Sequence, residues 1–480
     1  MKKSLVSLLL LVAMFVNIFA LTACDIFGKG YDKLDLTGEY DGSAVTISFW
    51  HSMGAENKAL LDSAIARFNE MYPNIKVEHQ SYGDYDGVFD VIRTKLTAGK
   101  QPSFAFCYPD HVATYNKSES VIALDDLINN KNVIQNATGE EMMGFTDAQI
   151  ADFIPAYYNE GKEYGDGKMY SIAFQKSTEV LYYNKTIVDP IMAQLGVDAL
   201  DTWDKVEIVI KELKKQYPNS TPLGYDSSEN FFITLSIQNN APYTSADASE
   251  HYLFNNDKSK AFVAKFAEWY QNGWMTTSEL MGGSYTSDAF KKGNDEGGKV
   301  FMSIGSSAGA RYQRPDKDGN GKYPFDVGIV SIPQTAGSKN VISQGPSVCI
   351  FEPASGNVQE VYASWLLVKF LTTDARFQAE YSMKSGYVPV IQSVYETKQY
   401  QDALERADGG DFITSLAAKV ALEQKDYYFT SPAFPGSADA RTQVGLLVEA
   451  VFTKYQLGKD NSSMINEQFK KFYDICKAND

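Results

Sequence analysis

VTISFWHSMGAENKALLDSAIARFNEMYPNIKVE, residues 45–78, decides the fold. Val45 to Trp50 is a short β-rich run. From Glu56 to Tyr72, Leu60, Leu61, Ala64, Ile65, Phe68 and Met71 fall on one helical face. Pro73-Asn74 stops that helix, and Ile75-Lys76-Val77-Glu78 resumes as a strand. Strand, helix, strand is the unit of a parallel or mixed α/β sheet.

Working outward, a second helix is predicted from Tyr85 to Ala98, ended by Gly99, and a buried strand from Ser103 to Tyr108. Asp166-Gly167-Lys168 reads as a tight turn between short strands, with Thr178 to Asn184 as the next strand. Further helices follow Thr202-Trp203 to Gln216 and run over Asp257 to Gln271 and Val358 to Leu371. Two more, Asp402 to Ala421 and Thr442 to Leu457, make a helical C-terminal third. No period of 20–50 residues recurs, which removes solenoid architectures.

The chain has 480 residues, so two lobes or domains are expected. With 44% apolar and 22% charged residues it can bury sizeable cores. The formal charge of −16 argues against a general nucleic-acid binder, which needs a basic stripe to neutralise phosphates. It leaves room for one buried cationic site for a small anion. His51, His79, His111 and His251 form no paired metal-ligand spacing, so no metal site and no cofactor is expected.

At the N-terminus, Lys2 and Lys3 precede an apolar run from Leu5 to Leu21 and then Leu21-Thr22-Ala23-Cys24. A charged region, an apolar region and a small-residue site read as a secretory signal, residues 1–23. Its loss removes two lysines and takes the charge from −16 to −18. Residues 24–43 are polar and aperiodic and read as a flexible tether. Cys107 and Cys349 sit in apolar runs and read as buried free thiols.

Several motifs carry possible chemistry. Gly305-Ser306-Ser307-Ala308-Gly309 matches GxSxG, but no His follows His251 to complete a hydrolase triad in the usual chain order. The same turn suits either a plain connection or a loop offering N–H and hydroxyl groups to ligand oxygens. Neither Ser-x-x-Lys nor GxxxxGK[ST] occurs, which removes the penicillin-binding nucleophile and the transporter ATPase. Asp316-Lys317-Asp318-Gly319-Asn320-Gly321 copies half an EF-hand loop, yet position 12 is Val327 rather than a bidentate Glu, which favours a solvated turn. Tyr82, Tyr85, Tyr157, Tyr158, Tyr182, Tyr183, Tyr427 and Tyr428 are available for stacking on sugar rings or for the core. Arg441 stands among small and polar residues at the start of a helix, suited to a surface salt bridge or to gripping a phosphate or carboxylate.

Six stretches resemble, in order, the extracellular solute-binding proteins of ABC importers, family 1. They are residues 49–77, GDGKMYSIAFQKSTEVLYYNK (165–185), TW (202–203), GGKVFMSIGSS (297–307), FDVGIVSIPQ (325–334) and SGYVPV (385–390). Leu-Thr-Ala-Cys24 likewise resembles a lipobox, which implies a diacylated Cys24 as the mature N-terminus and a body anchored on the extracytoplasmic side of the cell membrane. The family fold is a type II two-lobe α/β architecture with the ligand in the cleft between lobes. By resemblance the first lobe takes 44–172 plus 331–385 and the second 173–330 plus 386–480.

Within the family the chain is most similar to sn-glycerol-3-phosphate-binding members. Their ligand positions fall on Tyr85, Ser177, Ser306 or Ser307, Gly345, Tyr387 and Arg441, with Tyr387 and Arg441 toward phosphoryl oxygens. Where those members carry a Glu beside the glycerol hydroxyls, this chain has Pro109 followed by Asp110. Their two covering Trp fall near Glu229 and Phe232, and a Glu229 pointing at a phosphate would repel it. The polyol half of the site is therefore altered while the anion half is kept. A glycerol-phosphate-type solute and a neutral oligosaccharide are both expected as ligand classes, with membrane permease subunits as partners and a monomeric body.

Overall fold

The computed structural model describes residues 34–247, 249–293 and 300–479, so the expected leader, Cys24 and the tether up to residue 33 lie outside the described residues. Among the described residues no helix is long and apolar enough to cross a membrane.

In chain order the strands are β1 (Val45–His51), β2 (Ile75–Ser81), β3 (Phe104–Cys107), β4 (Val133–Asn136), β5 (Gly139–Met142), β6 (Ile172–Ala173) and β7 (Glu179–Asn184). They continue with β8 (Leu223–Tyr225), β9 (Met275–Thr277), β10 (Met302–Ser306), β11 (Val327–Ser331), β12 (Val341–Ile342), β13 (Ser347–Ile350) and β14 (Tyr428–Phe429). The first sheet has the order β2-β1-β3-β13-β6 and the second β11-β7-β10-β8-β9. β1 pairs in parallel with β2 and β3, and the helix Ala55–Met71 makes the crossover that a parallel pair requires. β13 returns antiparallel to β3, so chain from beyond residue 346 completes the first sheet. Each sheet is thus assembled from distant sequence, which forces the chain to cross between the lobes more than once.

The first core packs under the first sheet. Ile47 and Phe49 are fully buried, and the Phe49 ring stacks on Phe104 with centroids 4.4 Å apart. Truncating Phe49 to Ala there would cost about 3–5 kcal/mol. The second core joins β8, β10 and the helices Trp203–Gln216, Ser228–Gln238, Asp257–Gln271 and Ser437–Lys454.

The structure departs from expectation in four places. Residues 34–43 are not a free tether: Leu36 and Tyr40 are buried in the first core, and Asn130 donates to the carbonyls of Leu36 and Gly38. The stretch expected as one helix over 402–421 is two, Lys398–Glu405 and Ile413–Glu423. Asp408-Gly409-Gly410 separates them, and a Cβ on Gly409 would stand 1.9 Å from the Val327 carbonyl oxygen. Val388, Val390, Ile391, Val394 and Tyr400, placed in the second lobe by resemblance, bury in the first core. A last helix, Ser462–Asn479, sets Ile465, Phe469, Phe472 and Cys476 into the second core.

Three crossing segments meet side by side. Lys176 and Val388 exchange backbone hydrogen bonds at 3.0 and 2.6 Å, and Ser177 and Gln344 do so at 2.8 and 2.9 Å. The Lys176 ammonium is buried here and donates to Glu160 Oε1 at 2.7 Å and to the Gly345 carbonyl at 3.1 Å. Ser347 and Ser343 hydroxyls donate to the two Glu160 oxygens at 3.1 and 2.9 Å. The hinge is therefore stitched by one buried ion pair whose remaining lone pairs are satisfied.

Candidate functional site

Between the lobes lies a cleft cavity of about 680 Å³, part of it open to solvent. Tyr108, Pro109, Asp110 and Glu160 line it from the first lobe, and Asn230, Ile233, Tyr243, Ser437 and Arg441 from the second. Ser343 and Gln344 of the hinge form its floor. Gln344 Oε1 and Thr244 Oγ1, both on residues that line it, are buried and have no hydrogen-bond partner among the described residues. Unpaired buried acceptors in a cavity are places where a ligand hydroxyl or water bonds.

Arg441 is the one basic side chain among the described residues lining the cavity. It rides on the second turn of the helix Ser437–Lys454, whose Ala440, Val444 and Leu447 bury in the second core. Its Nη2 donates to Asn230 Oδ1. Burial works against the charge, but Asp110 and Glu229 outweigh it and hold the guanidinium above its ordinary pKa. Asp110 sits in the first turn of the helix Pro109–Tyr115, so it and Arg441 belong to opposite lobes. The Asp110 carboxylate accepts the His111 N–H at 2.9 Å. His111 is buried and stacked on Phe89, and burial lowers its pKa against the pull of Asp110 and Asp86.

Of the nine expected ligand residues, Asp110 and Arg441 line this cavity. Tyr85 and Tyr387 do not, but their hydroxyls bond to each other at 2.8 Å and the Tyr85 ring lies 4.8 Å from that of Tyr108, which does. Ser306 Oγ bonds Ser177 Oγ at 3.3 Å, while Ser177 is held in the hinge by Gln344. Ser307 is fully buried and its Oγ accepts the Thr178 N–H at 3.4 Å, so the GxSxG turn presents no exposed nucleophile. Gly345 has φ +90°, and a Cβ there would come within 2.5 Å of the Gln175 carbonyl oxygen. Its place is in the packing of the hinge.

Phe232 is not a cleft residue: it is fully buried among Tyr243, Phe254, Phe262 and Phe469 of the second core. Its helix neighbour Ile233 lines the cavity instead. Glu229 is turned aside, accepting from Ser227 Oγ at 2.8 Å with its side chain against Gly445. In the turn containing Asp316 to Gly321, Asp318 Oδ1 accepts the N–H groups of Asn320 and Lys322. Among the described residues no group of three or more His, Cys, Asp or Glu could hold a metal ion. Cys107 and Cys349 are buried and unbridged. Sequence reading missed Tyr108, Asn230, Tyr243 and Gln344; only Tyr108, next to Pro109-Asp110, carried a local signal.

The model of the bacterial extracellular solute-binding protein family matches residues 63–407. The chain belongs to that family. This solute-binding protein is 26% identical over 437 residues to the sn-glycerol-3-phosphate-binding periplasmic protein UgpB of Salmonella paratyphi A, covering 88% of this chain and 91% of the relative. Its fold is similar to UgpB of Mycobacterium tuberculosis in complex with glycerophosphocholine, at TM-score 0.67 and 16% identity, covering 91% and 99% of the two chains. It is likewise similar to the ABC substrate-binding protein Lmo0181 of Listeria monocytogenes in complex with cycloalternan, at TM-score 0.69 and 15% identity, covering 90% and 98%. The two-lobe α/β architecture is the shared feature, and the family and these relatives are binding proteins of ABC-importer type rather than enzymes.

Proposed function

We propose that this protein captures a phosphate ester joined to a polar or cationic second half, of the glycerophosphodiester kind, and delivers it to a membrane permease. The observation that carries the reading is Arg441 facing Asp110 across the cleft, each on its own lobe. A dianionic phosphate alone would gain from Arg441 and be repelled by Asp110. A solute with an anionic centre and a hydroxyl-rich or ammonium end satisfies both, and by touching both lobes it favours the closed state. The unpartnered Gln344 Oε1 and Thr244 Oγ1 on residues lining the cavity support a solute that carries hydroxyl donors. UgpB relatives that bind glycerol 3-phosphate and glycerophosphocholine support this class. The rings of Tyr108 and Tyr243 on the cavity wall support a second reading, a neutral oligosaccharide stacked between lobes.

The same reading has the body held on the outer side of the cell membrane through a diacylated Cys24, followed in sequence by Asp25. A thermal-shift screen of the mature chain separates the ligand classes. Binding to the native state alone raises stability by RT ln(1 + [L]/Kd), about 2.7 kcal/mol at a hundredfold excess over Kd. Glycerophosphocholine is expected to shift the transition, and Arg441→Ala, by weakening binding at least tenfold, to cut that stabilisation to about half or less. A shift with maltotriose alone would move the ligand to the second class.

A further inference from the structure

Behind Arg441 lies a carboxylate that touches no part of the cavity. Glu179, the first residue of β7, is 1% exposed, and its Oε2 accepts the Tyr225 hydroxyl proton. Its other polar neighbour is the side-chain amide of Asn230, itself 3% exposed, which favours the ionised carboxylate. Asn230 Oδ1 in turn accepts from Arg441 Nη2.

We propose that Glu179 is the positioning residue for Arg441, fixing through the Asn230 amide the direction in which the guanidinium enters the cleft. The inference rests on the proposed role of Arg441 in ligand capture; the relay itself is independent of which ligand binds.

The argument turns on donors and acceptors. A guanidinium only donates, so Asn230 must offer it oxygen rather than NH₂. An amide can turn either way, and what settles it is the group on its far side. Above pH about 7, where Glu179 is ionised and only accepts, Asn230 Nδ2 faces Glu179 and Oδ1 faces Arg441. Tyr225 donates from the opposite direction and occupies the second carboxylate oxygen. Each contact from Arg441 to Tyr225 then has one allowed sense, and four elements of the second lobe (β7, β8 and the helices Ser228–Gln238 and Ser437–Lys454) are tied to a single guanidinium orientation. Burial pushes the Glu179 pKa up to about 7, opposed by Tyr225, Asn230 and Arg441, with Asp226 adding to the rise. A sealed carboxylate is a costly packing element, and Leu would fill the space with no desolvation penalty.

The test uses the mature chain labelled with ¹⁵N-arginine. Seven arginines occur, and Arg441→Lys assigns the Arg441 Nε–Hε signal by its disappearance. That signal is expected to be protected from solvent exchange in the parent, at least tenfold less protected in Glu179→Leu, and largely restored in Glu179→Gln. Gln keeps an oxygen for Asn230 Nδ2 and an NH₂ for the Tyr225 oxygen, so rescue by Gln marks geometry rather than bulk. Calorimetry with glycerophosphocholine should show at least tenfold weaker binding in Glu179→Leu and no further loss when Glu179→Leu is added to Arg441→Ala. If Glu179→Leu does not fold, Asn230→Leu breaks the relay at its middle and is expected to give the same loss of protection. Unchanged Arg441 protection in Glu179→Leu, equal behaviour of the Gln and Leu variants, or additive losses with Arg441→Ala would overturn the proposal. A parent protein that ignores glycerophosphocholine would sink the ligand reading alone, because the exchange measurement still decides the role of Glu179.

Discussion

Lys176→Met should destabilise the protein by about 3–5 kcal/mol, because it strands the buried Glu160 carboxylate. Both side chains are nearly inaccessible, at 1% for Lys176 and 2% for Glu160. Removing the ammonium leaves Glu160 with the Ser343 and Ser347 hydroxyls, two neutral donors against a full charge in the hinge. It also frees the Gly345 carbonyl from its 3.1 Å bond. Urea unfolding followed by circular dichroism reads the effect. With a slope of about 3 kcal/mol/M or somewhat above for a chain this size, the midpoint should fall on the order of 1 M. The double variant Lys176→Met with Glu160→Leu should recover most of the loss, since a buried pair replaced by apolar residues is often near neutral. A single-variant loss below about 1 kcal/mol, or a double variant worse than the single, would refute the claim that this pair holds the crossing segments together.

Three further outcomes follow from the same geometry. The Met53 N–H donates to His51 Nδ1 at 3.1 Å, so His51 Nε2 holds the proton shared with His79 at 3.0 Å, and His79 Nε2 donates to Asp62 at 2.7 Å. Burial, with His79 and Lys58 adding to it against Asp62, lowers the His51 pKa to about 3. Between pH 6.5 and 3 the unfolded chain therefore binds a proton that the native one refuses, so this contribution to stability falls with pH, by about 2 kcal/mol from pH 7 to 5. Raised carboxyls at Glu179 and Asp226 act in the opposite sense, so the check is the difference in pH dependence between the parent and His51→Gln; parallel curves would contradict it. Gly345→Ala should cost about 2 kcal/mol or more, since the residue has φ +90° and no room for a Cβ; Gly337→Ala, at φ +81° with open space around it, should cost about 1 kcal/mol by thermal unfolding. Arg311 meets Glu56 across the lobes at 2.9 Å with side chains 30% and 68% exposed, a contact worth under about 1 kcal/mol. Glu56→Lys should thus raise the ligand-free radius of gyration in small-angle scattering while weakening binding less than about fivefold, and an unchanged radius would remove this contact from the closure mechanism.

Periodicity carried the first β-α-β unit because its helix is half exposed: Leu61, Ala64, Ile65 and Phe68 bury on one face with polar residues opposite. The helix Ser228–Gln238 behaves differently, with all but two of its residues buried, so no apolar stripe tells which side faces the cleft. The resemblance alone set Phe232 near the ligand, and no pattern in the helix pointed instead to Asn230 and Ile233, which line the cavity. Arg441 stood out as an isolated arginine opening a helix, but its local pattern also suited a surface salt bridge, and the resemblance assigned it to the ligand. The Lys176–Glu160 pair and the Glu179–Asn230–Arg441 relay were not legible, since each joins residues brought together only by the crossing segments and helix packing. The two glycines after Asp408 are a local helix-break signal, and Ile465, Phe469, Phe472 and Cys476 share the spacing of one helical face.

The most direct measurement is isothermal titration calorimetry of the mature chain with glycerophosphocholine, glycerol 3-phosphate and maltotriose, repeated with Arg441→Ala and Asp110→Asn. The account predicts saturable binding of glycerophosphocholine, tighter than that of the dianion glycerol 3-phosphate, weakened at least tenfold in Arg441→Ala and with the preference narrowed in Asp110→Asn. Binding of glycerophosphocholine that survives Arg441→Ala unchanged would contradict it.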